Sequence, residues 1–183
     1  MNLTSSHGAN GKPAASQAFE DSSSRITDLE GECFFGYPLI ATPEGKFAID
    51  AVLISPDKGT VLFDLVEGSQ VGSYGERQDD IANKLDACLR LHRELSLGAS
   101  SLWRFHVITF APAITDMARH RQDGYPISNV DTLRGVIVQL SWTGANETRF
   151  CAVLSAVESI SSIRKSRTKR EVVCENSRGA RLK

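Results

Sequence analysis

The longest run of patterned hydrophobic positions is AIDAVLISPDKGTVLFDLVEG, residues 48–68, which reads as two strands, 47–55 and 60–66, joined by a tight turn. Pro56 can preset that turn and Gly59 can close it, so an antiparallel hairpin is predicted. Side chains alternate faces along a strand, which puts Asp50 with Val52 and Ile54, and Asp64 with Leu62 and Val66. Upstream, residues 19–29 suggest a short helix and ECFFGYPLIAT an edge strand, its β-formers bracketed by Gly and Pro. Downstream the period changes. Ile81, Leu85, Cys88, Leu89, His92 and Leu95 fall at helical spacing over residues 77–97, with Gly98 as the stop. LWRFHVITF, residues 102–110, returns to a strand that is nearly continuous in large side chains, as expected of one covered on both faces. Ser128 or Asn129 can then cap a helix with Val130, Leu133, Val136, Ile137 and Leu140 on one stripe, and a last helix is predicted over 147–163. The order strand, hairpin, helix, strand, helix describes an α/β domain, a small mixed β-sheet flanked by helices.

Composition adds boundaries to this pattern. With 183 residues and 41% hydrophobic content, the chain suffices for one core and not for two. Residues 1–24 are rich in Ser, Gly, Ala and Asn and poor in large apolar residues, so they are expected to be a disordered leader, with the domain at 25–163. Neither an apolar stretch of about 18 residues nor a signal-peptide pattern is seen, so a cytoplasmic protein without a membrane partner is expected. The four cysteines are dispersed, with no C-x-x-C pair, and suggest neither a zinc site nor a disulfide framework. Net charge is −1, yet residues 164–183 hold eight Lys or Arg against two Glu. Arg164, Lys165, Arg167, Lys169 and Arg170 in this basic tail are the candidate nucleic-acid contacts, through phosphates and counterion release.

The chemistry rests on the two hairpin acids. Two-metal phosphodiesterases need carboxylates held rigidly a few ångströms apart, so that Mg²⁺ or Mn²⁺ can bind the scissile phosphate and activate water. Asp50 and Asp64 have the types and spacing for this, but the position two past Asp64 is Val66, where such sites usually carry lysine. If the acids are relics at wet or hydrogen-bonded strand ends, replacing either with Asn changes stability little. Other signals read as structural. His92 lies on an apolar helix stripe, Trp103 and Phe105 suit the core, and Asp79 and Asp80 suit the first turn of their helix, opposing its dipole. GANGK near the N-terminus is no phosphate loop, because it lacks the spacing between glycines and Pro13 follows Lys12.

"IDAVLIS…GTVLFDLVEG", with "QDDIANKLDACL" and "VITFAP", resembles the nuclease-related, NERD-like domain of the PD-(D/E)xK superfamily found at the N-terminus of UvrD-like superfamily 1 DNA helicases. The similarity runs over about residues 30–183. It implies a restriction-endonuclease-like core in which Asp50 is the first acid, Asp64 the second, and Val66 stands for the missing lysine. Gln78 matches the glutamine of a Q-x-x-x-Y motif, with Ala82 in place of its tyrosine. "ENSRGARLK" is similar to the connector that precedes the helicase motor, and the chain holds no G-x-x-x-x-G-K-T, so a truncated or stand-alone accessory domain is expected. The reading that results is a degenerate, catalytically inactive domain that binds DNA or docks on a helicase motor in cis or in trans, with no cofactor. The alternatives are an active Mg²⁺- or Mn²⁺-dependent DNA nuclease using Asp50, Asp64 and a lysine from elsewhere, such as Lys46 or Lys84, and a protein-interaction module.

Overall fold

The computed structural model describes residues 2–5, 11–42, 45–89 and 105–140, with side chains placed for 11–36, 49–87 and 105–140. Six strands form one mixed sheet in sequence order: β1 (Asn2–Ser5), β2 (Glu32–Thr42), β3 (Gly45–Ser55), β4 (Gly59–Leu65), β5 (Phe105–Phe110) and β6 (Ile127–Ser128). The pairs β2–β3 and β3–β4 are antiparallel, whereas β1–β2, β4–β5 and β5–β6 are parallel. Helices α1 (Pro13–Ser24), α2 (Tyr74–Leu89) and α3 (Leu133–Gln139) complete the predicted α/β architecture. A parallel neighbour requires a crossover, and α2 lies in the connection between β4 and β5.

The predicted hairpin forms with Ser55 paired to Gly59 across a three-residue loop. Gly59 sits at φ 72°, a left-handed conformation that costs glycine nothing. The Ser55 hydroxyl oxygen accepts the N–H groups of Asp57 and Lys58. Lys58 donates to the carbonyls of Val138 and Leu140, so the turn also holds the C-terminal end of α3, where a cation opposes the helix dipole.

One face of the sheet packs on α1 and α3. Phe19 is fully buried there, with ring centroids 5.4, 4.5 and 5.2 Å from those of Phe35, Phe63 and Phe110. Leu53, Val61, Leu65, Ile108, Leu133 and Ile137 complete this core. The opposite face carries Asp64 and Thr109, which bond to Arg77 and Gln78 of α2. Beside them Val66, Val71, Tyr74, Ala111, Ile114 and Ile127 form a second cluster. Every residue of β4 is buried, because both faces are covered.

Several expectations need correction. Within the stretch read as a disordered leader, residues 13–24 are α1, and the helix expected over 19–29 begins at Pro13 and ends at Ser24. Large apolar residues are indeed scarce there, but Ala15, Ser22 and Ser23 are small enough to bring the helix close and seat Phe19 in the core. The two serines satisfy their hydroxyls on the carbonyls of Ala18 and Phe19. The strand at 32–42 is an edge only in part, since β1 pairs with residues 32–35. Helix α2 starts three residues before residue 77, so Asp79 and Asp80 lie beyond its first turn and find specific partners, Tyr125 and Lys84. Asn129 forms an Asx turn, its Oδ1 accepting from the N–H groups of Asp131 and Thr132, but it does not cap α3 as expected: the helix begins only at Leu133, with Thr132 at its N-cap and no side-chain cap, and Val130 is left exposed. The continuation of α2 to 97, the helix at 147–163, the basic tail, His92 and Trp103 lie outside the described residues.

Candidate carboxylate site

Register brings the two hairpin acids together. Ala51 pairs with Phe63 and Asp64 with Thr109, so Asp50 and Asp64 come side by side on the α2 face near the C-terminal end of β4. Asp64 is 3% exposed. Its Oδ2 accepts from Arg77 Nε at 3.0 Å, Arg77 Nη2 at 2.9 Å and Thr109 Oγ1 at 3.2 Å. Asp50 Oδ2 accepts the Leu65 N–H at 2.9 Å and Lys12 Nζ at 2.6 Å. The same ammonium lies 3.6 Å from Asp64 Oδ1, so Lys12 bridges the two carboxylates.

Gln78 lies on α2 next to Arg77, and it hydrogen-bonds to neither acid. Its Nε2 donates to Thr109 Oγ1 at 2.9 Å and to the Pro126 carbonyl at 2.8 Å, which orients the threonine hydroxyl toward Asp64. Arg77 is held in turn by the Val71 carbonyl, which accepts from Nη1 at 2.9 Å. Of the wet or hydrogen-bonded strand ends expected, the second describes this pair: Asp64 is buried, hydrogen-bonded and ion-paired, and Asp50 accepts from the Leu65 N–H and Lys12. Of the lysines considered as substitutes, Lys84 pairs with Asp80 at 2.6 Å on the outer side of α2, and the Lys46 side chain lies outside the described residues. Arg164, Lys165, Arg167, Lys169 and Arg170 are outside them too.

Sequence reasoning missed Lys12, Arg77 and Thr109. Lys12 is 38 residues from Asp50 and sits just before α1, in a segment read as a leader. Its reach follows from how α1 is anchored. Glu67, two residues past β4, accepts the N–H groups of Ala14 and Ala15 at 3.2 and 2.9 Å, satisfying two of the donors left open at a helix start. That contact fixes the start of α1 over the end of β4, and Lys12 turns into the acid pair. Arg77 adjoins the recognised Gln78, so its place in the helix was the one available signal.

As placed, the two carboxylates are engaged by the protein's own cations. Mg²⁺ takes about six oxygen ligands in near-octahedral geometry. Here two carboxylates face two protein cations, and each Oδ2 already accepts two or more hydrogens, which leaves mainly the Oδ1 atoms for such an ion. Among the described residues no group of three or more His, Cys, Asp or Glu is placed to hold a metal.

An open cleft lies next to this network, walled by Gln78, Asp79, Ala82, Phe105, His106 and Tyr125. Phe105 is therefore a half-buried wall of this cleft and not part of the core. Tyr125 donates to Asp79 Oδ2 at 2.9 Å, and that hydrogen bond and charge push its phenol above the ordinary range. Across the sheet, burial pushes the Cys33 thiol up. Among the described residues no helix is long and apolar enough to cross a membrane. Compared with known proteins, the chain matches no family model, no curated protein and no solved structure, so its own geometry is what bears on function.

Proposed function

We propose that this chain is a nuclease-like domain of the PD-(D/E)xK type that has lost hydrolysis and serves as a docking or DNA-binding accessory to a helicase motor. One observation carries the reading. A mixed sheet, with an antiparallel hairpin followed by a helix and a parallel strand, sets Asp50 and Asp64 side by side under a helix bearing Gln78, while position 66 holds a buried valine. This arrangement is what the reading expects of a restriction-endonuclease-like site without its lysine in the strand. Acidic residues outnumber basic ones among the described side chains, which favours docking on a basic protein surface by this part of the chain. Phosphate contacts are left to the tail.

The test is incubation of the purified protein with linear and single-stranded DNA in Mg²⁺ or Mn²⁺, where the DNA should stay intact. Metal-dependent cleavage that Asp50→Ala abolishes would overturn the proposal. A second reading, an active Mg²⁺- or Mn²⁺-dependent nuclease, is favoured by the lysine amine that Lys12 brings to the acid pair. It requires cleavage that is lost in Lys12→Ala as well.

A further inference from the structure

The four charged groups Lys12, Asp50, Asp64 and Arg77 come from four places in the chain and meet as two anions and two cations. A site of zero net charge offers a dication little attraction. Lys12 also occupies the space between the carboxylates that a shared ion would take, with 2.6 Å to one and 3.6 Å to the other. Arg77 consumes Asp64 Oδ2 through two nitrogens and is itself tied to the Val71 carbonyl, so its guanidinium is fixed in place. The cations differ in setting: the flexible Lys12 side chain is 29% exposed and can swing to solvent if its partners are taken, whereas that of Arg77, 40% exposed, is held by the Val71 carbonyl as well.

We infer that Lys12 and Arg77 form an internal ionic lock that occupies the position of a divalent cation and keeps such ions out, and that the acid pair regains divalent-cation binding when either positive charge is removed. The inference rests on the nuclease-like reading of the site, and it gives the Asp50–Asp64 pair a present role: joining the start of α1 to β3, β4 and α2 without a metal. The lock is electrostatic. Lysine in place of Arg77 keeps the charge but not the several-nitrogen grip, so it should preserve the lock in part, whereas glutamine, which keeps much of the length and loses the charge, should open it.

The experiment is titration of the full chain with Mn²⁺, reading free ion by its paramagnetic resonance signal, for wild type, Arg77→Gln, Arg77→Lys, Lys12→Gln and Asp64→Asn/Arg77→Gln. Arg77→Gln and Lys12→Gln should each bind one equivalent of Mn²⁺ at least tenfold tighter than wild type. Arg77→Lys should stay closer to wild type than to Arg77→Gln, and the double variant should lose the gained site. Lys12 lies at the surface end of α1, so its variant decides the matter if loss of the Arg77–Val71 bond prevents folding of the other. Equal Mn²⁺ affinity in wild type and the glutamine variants, tight stoichiometric binding by wild type, or a gain in Arg77→Lys equal to that in Arg77→Gln would each overturn the lock. These outcomes are separable from the functional proposal: DNA cleavage by wild type would sink that proposal whatever the Mn²⁺ titration shows, and unchanged Mn²⁺ binding would sink the lock while leaving a non-hydrolytic domain standing.

Discussion

Replacing Asp64 with asparagine removes a charge and almost no volume, so its effect on stability isolates the ionic part of the site. The native carboxylate is 4% exposed at its side chain and accepts from two Arg77 nitrogens and the Thr109 hydroxyl. Two limits bracket the cost. Removing one member of a fully buried ion pair costs about 3–5 kcal/mol. Losing a single hydrogen bond to a charged group costs about 1.5–3 kcal/mol. The Arg77 side chain is 40% exposed and can rehydrate once unpaired, and the amide oxygen can still accept from Thr109, so the lower range applies and about 2 kcal/mol is expected. Asp50→Asn should cost less, about 1 kcal/mol, because Lys12 rehydrates easily and the amide oxygen can keep the Leu65 N–H. Urea unfolding followed by circular dichroism measures both, with the slope held common. A double-mutant cycle of Asp64→Asn with Arg77→Gln should show coupling of about 1 kcal/mol or more. If Asp64→Asn is as stable as wild type and the cycle shows no coupling, the ion pair is not what holds α2 to β4, and the account of the site fails.

Phe19→Ala should lower stability by about 3–5 kcal/mol, or about 2–4 °C of melting temperature per kcal/mol at this chain length, since it empties the centre of the Phe35–Phe63–Phe110 cluster; a loss under about 1 kcal/mol would mean that α1 does not close this core. Cys33 should resist thiol reagents at pH 8 until the protein unfolds, as peptide mapping of labelled protein would reveal, because burial disfavours the reactive thiolate. Its folded pKa lies above the unfolded value of about 8.5, so the stability this thiol contributes is full below that pH and falls as pH rises past it. Removing residues 164–183 should greatly weaken DNA binding and flatten its dependence on salt; an unchanged salt slope would acquit the tail.

Hydrophobic period alone determined the central hairpin, α2, β5 and the mixed α/β class, because each signal is local: alternation over a few residues, a turn bracketed by Pro56 and Gly59, a 3.6-residue stripe. It also placed Asp50 and Asp64 on one face, since strand parity and a tight turn leave little freedom in register. What it could not assign were the partners of those acids. Composition pointed away from order in the first 24 residues, because it counts large apolar side chains and cannot register that one phenylalanine among small residues suffices where three other rings already wait. Lys12 came with that segment. Its ammonium reaches Asp50 across 38 residues only because Glu67 fixes the first turn of α1 against the end of β4, a contact set by tertiary packing and by no local pattern. Arg77 and Thr109 became site residues the same way, when the crossover through α2 laid one helix and one parallel strand against the buried carboxylate. The sequence thus determined where two negative charges would meet, and the tertiary structure decided that two positive charges of the protein itself would meet them there, because a carboxylate taken out of water must find a counter-charge within reach.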